Sequence, residues 1–225
     1  MQKVDLIIPA KEKSEHIIIL LNNLIKKKFI KKIIVVLEKD KNIKIFKNNR
    51  VIIINQKKEG YGSAIKDGFK KSKNKYACIF NADGSFNIFD LPHMLNLIKN
   101  KHFIFASRYE KNAGSEDDTL LTRFGNFFFT TLGRYLLGIN LSDILYTYVL
   151  CERKKFLSLN LKNNDFRLCV ELPYKVKSFG YLYDTYPSYE YARKYGRKNL
   201  NELKDGFLIL LEIIKCIIKN IKKKF

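Results

Sequence analysis

Asn81 and Asp83 stand two residues apart in the segment Tyr76-Ala-Cys-Ile-Phe-Asn-Ala-Asp-Gly-Ser-Phe86. The apolar run Tyr76 to Phe80 has the length and composition of a short buried strand, and it ends abruptly at Asn81-Ala82-Asp83-Gly84. Side chains two residues apart on extended chain project to one side, so the amide and the carboxylate can face one ligand. Hard oxygen donors of this kind suit a divalent cation that bridges phosphates. The competing reading is an ordinary strand followed by an Asp-Gly turn.

Other residues could join that chemistry. Gly60-Tyr-Gly62-Ser-Ala opens a helix; a glycine pair lets the backbone approach a ligand, and a helix N-terminus offers free N–H groups. The third glycine of a dinucleotide fingerprint is missing, so a plain structural turn competes here too. Arg108 follows the apolar run Phe103 to Ser107, and Arg193 begins the basic stretch Arg193 to Lys198. Guanidinium forks match phosphate oxygens. Asp143, after Asn140-Leu-Ser, reads as a helix cap or as a general base. Glu116, Asp117 and Asp118 read as a solvated acidic run, or as bases or metal-side residues. His16, His93 and His102 share no metal-ligand spacing, and Cys78, Cys151, Cys169 and Cys216 form no CxxC. Structural zinc and a Ser/His/Asp arrangement therefore lack support.

The elements that must position these residues alternate. Val4 to Pro9, Ile33 to Leu37, Val51 to Ile54, Tyr76 to Phe80 and Phe103 to Ser107 read as buried strands. Between them, Lys11 to Lys28, a segment from Gly60 to about Ser72, and Pro92 to Lys99 read as helices. Such alternation predicts right-handed crossovers and an α/β fold, with a mainly parallel sheet covered on both faces. Ligands in such sheets sit outside the carboxyl ends of the strands, where Asp83 and Arg108 would lie. Further on, Lys111 to Asp118 reads as a polar loop and Thr119 to Leu137 as a long segment apolar on most faces. Leu168 to Phe179 reads as a buried helix with Pro173 in its first turn or at a kink. Tyr181 to Tyr186 reads as a strand, and Asp205 to Phe225 as an amphipathic helix.

The 225 residues suit one domain, 1–204, followed by a basic amphipathic helix, 205–225. A formal net charge of +21 favours an anionic partner, but no nucleic-acid-binding signature accompanies it. The N-terminus shows no signal-peptide pattern, and no apolar run reaches the roughly 18 residues of a membrane span. The expectation is a cytoplasmic protein, peripheral on the cytoplasmic membrane face through a terminal helix lying on anionic lipid.

Taken in order, the segments resemble family 2 glycosyltransferases of the GT-A fold, and among them the dolichol-phosphate mannose synthase and polyprenyl-phosphate glycosyltransferase group. Leu6-Ile-Ile-Pro-Ala-Lys-Glu-Lys-Ser-Glu-His-Ile17 is similar to that group's first strand and turn, and Gly60 to Gly68 to its GxGxAxxxG. Asn81-Ala-Asp-Gly-Ser-Phe-Asn-Ile-Phe-Asp-Leu-Pro92 resembles DADGSxxPxDLP, and Phe105-Ala-Ser-Arg-Tyr109 resembles GSRY. Leu141-Ser-Asp143, Glu171-Leu172 and Pro187 through Gly196 fall where the group has further motifs. The resemblance implies inverting transfer from a nucleotide-sugar donor to a lipid-phosphate or lipid-linked glycan acceptor, assisted by Mg2+ or Mn2+. By it, Asp83 and Asn81 meet the metal, and Asp143 and Asp83 are the catalytic pair. Pro9, Ala10, Glu12, Glu38, Gly60, Gly62, Asn81, Ala82, Asp83, Gly84, Arg108 and Arg193 line the donor site. Asp40 is a second candidate for the place given to Glu38.

The chain departs from the group at five places. Asn81 replaces an acid, Lys13 a glutamate, Glu38 or Asp40 the aspartates after the second strand, Tyr146-Thr147 a Ser-Gly, and Lys198-Asn199 a Ser-Lys. A sugar-nucleotide nucleotidyltransferase and a catalytically weak basic scaffold are the alternative readings.

Overall fold

The computed structural model describes residues 2–10, 15–38, 48–194 and 202–222. Glu12, Lys13, Asp40, Lys198 and Asn199, named above, lie outside the described residues. The strands are β1 (Val4–Ala10), β2 (Ile30–Leu37), β3 (Val51–Asn55), β4 (Tyr76–Ile79), β5 (Phe103–Ser107), β6 (Gly114–Ser115), β7 (Val149–Glu152), β8 (Tyr183–Pro187) and β9 (Tyr189–Glu190). The α-helices are α1 (Glu15–Leu24), α2 (Tyr61–Lys71), α3 (Leu91–Leu97), α4 (Leu120–Leu137), α5 (Arg153–Ser158), α6 (Leu168–Ser178) and α7 (Glu202–Lys222).

Seven strands form one sheet in the order β3-β2-β1-β4-β7-β5-β8. Every neighbouring pair is parallel except those of β7, which runs antiparallel to both β4 and β5. A short parallel pair, β6 and β9, makes a second sheet. The central strands are apolar throughout because both faces are covered. Ile7, Ile34 and Val36 point into a core shared with α2, α6 and the inner side of α7. Leu6, Ile8, Ile33 and Val35 point into the opposite core, under α1 and α3.

Strand β7 and helix α5 were not anticipated. Val149–Glu152 is only four residues long and lacks the flanking turn signals that mark the other strands. Pro173 lies inside α6, past its first turn, so the first-turn alternative falls away. Helix α7 packs its inner stripe, Ile209, Ile213 and Cys216, into the main core.

Gly68 shows how tightly α2 rests on the sheet. A Cβ there would come within 2.2 Å of Ile7 Cγ2 and 3.2 Å of Val36 Cγ2. Gly68→Ala is therefore expected to destabilise the fold by about 1–3 kcal/mol, the usual cost of overpacking, seen as a lower urea midpoint. An unchanged midpoint would mean that α2 shifts without cost.

Candidate active site

The loop leaving β4 is held from below by aromatic rings. Phe86 is buried, stacks on Tyr148 at 4.8 Å between centroids and meets Phe80 edge-on at 5.7 Å. The Tyr148 hydroxyl donates to the Asn87 carbonyl at 2.9 Å. Asp83 closes the turn on itself: its Oδ1 accepts from the Ser85 N–H at 3.1 Å and the Ser85 hydroxyl at 2.8 Å. Gly84 takes φ +80°, a left-handed conformation that suits glycine. The second carboxylate oxygen of Asp83 has Arg193 Nε 4.0 Å away. Across the turn, Lys194 N donates to the Asp83 carbonyl and Tyr191 N to the Ser85 carbonyl.

Asn81 is oriented by a partner that the sequence reading missed. The Tyr61 hydroxyl lies 2.9 Å from Asn81 Oδ1 and 2.8 Å from Thr147 Oγ1. A hydroxyl has one proton, so Tyr61 donates to the Asn81 oxygen and Thr147 donates to Tyr61. Burial holds the Tyr61 phenol in its neutral form, far above its ordinary range. Tyr61 sits between the two glycines, and a ring there, stacked on Phe166 at 5.1 Å, gave no separate signal in the sequence.

The glycine pair faces protein. A Cβ on Gly60 would lie 2.3 Å from the Asn164 carbonyl oxygen, and one on Gly62 would lie 2.8 Å from that of Asn163. Gly60 also has φ +108°. The structural reading of these glycines therefore holds at both positions. The loop that crowds them is pinned by Glu171, whose carboxylate accepts from Lys162 N at 2.8 Å and Asn163 N at 2.8 Å. Burial alone would raise the Glu171 carboxyl. Those backbone donors and Lys175, 2.9 Å away, outweigh it and hold the group below its ordinary value.

Behind the loop lies a buried ion network. Arg108 donates from Nε to Asp143 Oδ2 at 2.7 Å and from Nη2 to Asp143 Oδ1 at 3.1 Å. Its Nη1 reaches Glu190 at 3.1 Å and Asp118 at 3.4 Å. Burial opposes the charge on Arg108, but Asp143 and Glu190 outweigh it and keep the guanidinium protonated. Burial raises the Glu190 carboxyl above its usual range despite Arg108 and the Ser115 hydroxyl, which donates to it at 2.7 Å. Asn126 on α4 donates to the Tyr109 hydroxyl, which donates to Asp118. The pairing of β6 with β9 sets Ser115 beside Glu190. Outside this knot, Arg193 donates to Asp117 through Nε and Nη2, the shorter contact being 2.7 Å.

This geometry corrects three expectations. Asp143, the leading base candidate, is fully buried, and both its oxygens are taken by Arg108 and by the Tyr146 N–H. It is the counter-ion of Arg108, with no lone pair turned to solvent. Arg108 in turn is occupied by three carboxylates and cannot present its fork to a phosphate. The acidic run is paired rather than solvated, since Glu116 accepts from Ala192 N, Asp117 binds Arg193 and Asp118 binds Arg108.

The remaining expected residues gather at the carboxyl ends of β1, β2 and β4. Pro9 and Ala10 end β1, and the Glu38 N–H donates to the Ala10 carbonyl. Because Ile7 pairs with Ile79, Pro9 stands level with Asn81 and Ala82 as the two strands run on. Asp83, Asp117, Asp118, Asp143 and Glu190 gather around Arg108 and Arg193, and the Lys194 side chain lies beside Gly84. Among the described residues no three His, Cys, Asp or Glu side chains form a complete metal cage. The Asp83 carboxylate and the Asn81 amide oxygen are nonetheless hard donors of the kind that would hold a magnesium-like ion, which needs only one or two protein ligands.

The model of the family described as glycosyl transferase family 2 matches residues 5–159. Glycosyltransferase AglJ of Haloferax volcanii is 25% identical over 167 residues, covering 72% of this chain and 54% of that protein. The chain thus spans about half the length of that relative. Glucosyl-3-phosphoglycerate synthase of Mycobacterium tuberculosis, crystallised with Mn2+, UDP and phosphoglyceric acid, superposes with a TM-score of 0.66 at 9% identity, covering 96% of this chain and 78% of that one. A second mycobacterial protein gives a TM-score of 0.67 at 13% identity over 96% of this chain and 75% of its own. At such identities the likeness is one of fold, and it is the GT-A α/β fold that the sequence implied.

Proposed function

The chain belongs to glycosyl transferase family 2, and from that premise we propose that it moves a sugar, with inversion, from a nucleotide-diphosphate sugar to a polyprenyl-phosphate or lipid-linked glycan acceptor. Membership sets aside the nucleotidyltransferase alternative. The observation that carries the reading is the placement of Asp83. Its carboxylate stands at the exit of a buried strand, one oxygen fixed by Ser85 and the other 4.0 Å from Arg193 Nε.

The reaction is an in-line displacement at the anomeric carbon, and its leaving group is a nucleoside diphosphate. Negative charge building on that group is the main barrier to offset, by an amount on the order of several kcal/mol. A divalent cation held by Asp83, with the Asn81 oxygen beside it, supplies part of that neutralisation when bound. Arg193 supplies another part from this chain, because its pairing with Asp117 holds the guanidinium 4.0 Å from Asp83. Pro9, Ala10 and Glu38 form the wall against which the nucleotide lies. Asp143, Asp117 and Asp118 are all engaged in ion pairs. That favours an acceptor already anionic, such as a lipid phosphate, which needs no general base.

The test is transfer from a panel of uridine and guanosine diphosphate sugars to a short-chain polyprenyl phosphate, with and without Mn2+. Metal-dependent product supports the reading; transfer only to sugar hydroxyls would replace the acceptor, and no transfer from any donor would leave a scaffold. Within that assay, Tyr61→Phe should lower kcat/KM about fivefold, the worth of one hydrogen bond of roughly 1 kcal/mol. An undiminished rate would show that Asn81 needs no orienting partner.

A further inference from the structure

Helix α4 carries large apolar side chains on the side turned away from the domain. Leu120, Phe124 and Phe127 are 88%, 67% and 70% exposed, and Leu121 and Phe128 flank them. The spacing 120, 124, 127, 128 is that of one helical stripe, and the polar Asn126 and Thr130 face inward instead. Helix α7 lies against α4, with Gly206 close to the Phe129 ring. It carries a second stripe, Phe207, Leu211, Ile214, Ile218 and Ile221, all exposed and distinct from the inner stripe that fills the core. So many exposed aromatic and aliphatic side chains on two packed helices exceed what a water-facing surface ordinarily shows.

We infer that α4 and the outer stripe of α7 form one docking face for an anionic lipid bilayer. Charge selects this occupant. Lys219 and Lys222 are exposed beside Ile218 and Ile221, and Arg123 is exposed beside Phe124. The acids described on these two helices are Glu202 and Asp205 in the first turn of α7, and Glu212, which is buried and bound to Lys215 at 2.9 Å. An apolar stripe bordered by cations is the pattern of a helix lying in the headgroup region. A second copy of the chain would instead meet the face with its own lysines and a formal charge of +21. Among the described residues no helix is long and apolar enough to cross a membrane, so the contact is one of lying on the surface.

The face also has a direction. The first turns of α4 are tied to the buried ion network, since Thr122 donates to Asp118 and Asn126 donates to Tyr109. Seating Leu120 and Phe124 in lipid therefore brings the Arg108 and Arg193 side of the cleft close to the headgroups. This last step rests on the transferase reading; the docking face does not.

The experiment is vesicle flotation of the full chain, without donor or acceptor, on phosphatidylcholine vesicles with and without phosphatidylglycerol. Binding is expected only with the anionic lipid. Phe124→Ser with Phe127→Ser should weaken partitioning about tenfold or more at every salt concentration, because two exposed rings lose their insertion. Lys219→Gln with Lys222→Gln should weaken it at low salt and flatten its salt dependence. All four positions are exposed, so melting temperatures should stay unchanged, and Asp83→Ala should float as the parent does even if transfer is lost. Flotation that ignores the phenylalanine pair would overturn the proposal. So would a chain that binds no vesicle and sediments as a dimer which that pair dissolves, which would make the face a contact between copies.

Discussion

Asp83→Ala is expected to lower transfer roughly a thousandfold or more, the scale on which a residue stabilising leaving-group charge acts. The alanine removes the carboxylate whose Oδ1 is fixed by Ser85 and whose Oδ2 lies 4.0 Å from Arg193 Nε, along with the charge that would hold a cation there. Its structural role is limited to the Ser85 turn, so the variant should melt close to the parent. Asp83→Asn separates the two roles: it keeps the Ser85 hydrogen bonds and loses the charge, and it should be nearly as inactive as the alanine. If either variant transferred sugar within about threefold of the parent, the assignment of this cleft would fail, since a lost charge-stabilising contact costs far more than that.

Arg108→Ala should fail in a different way, by unfolding. Three buried carboxylates, Asp143, Asp118 and Glu190, depend on that guanidinium. Breaking one side of a buried ion pair costs about 3–5 kcal/mol, because the remaining charge is stranded. For a chain of this length that is a fall in melting temperature of roughly 6–20 °C. The pH dependence gives the sign. Glu190 already has a raised carboxyl in the folded protein, chiefly from burial, so it takes up its proton more readily folded than unfolded. Such a group costs stability as pH rises from the usual glutamate range through its raised value. Without Arg108 the effect on Glu190 deepens, so the deficit of the variant should be smaller near about pH 5 than near about pH 8. A deficit that is flat with pH, or a melting shift under about 2 °C, would show that the carboxylates find other partners.

Much of the fold was legible because its strands are apolar runs closed by polar residues, a pattern that both-face burial imposes. Tyr76–Ile79, Phe103–Ser107 and Val51–Asn55 all appear within a residue or two of their expected bounds. Strand β7 was not legible, because Val149–Glu152 is bounded by no turn residue and owes its place to neighbours far away in the chain. The placement of Asp83 and Asn81 was legible from strand-end position, whereas Arg193 beside them followed only from the family resemblance. The roles of Asp143 and Arg108 were not, since an acid before an apolar run looks the same whether it will be a base, a cap or a counter-ion. The glycine pair misled for a related reason: glycine marks close approach, but the sequence does not say whether a ligand or the Asn163–Asp165 backbone is what approaches. Helix α4 read as apolar on most faces, which usually means burial, whereas here one such face is open.

Strand β7 carries a consequence for how the chain is made. It is inserted between β4 and β5, although it is synthesised some forty residues after β5. As the chain leaves the ribosome, β1 to β4 can assemble in order, but β5 then has no edge to join. The polypeptide from Arg108 to Tyr148, with α4 and its phenylalanines, must emerge before the wedge arrives and locks both sides together. Nascent chains halted before Glu152 should therefore show an open β4 edge and bind holdase chaperones, and release should come abruptly once that residue is out.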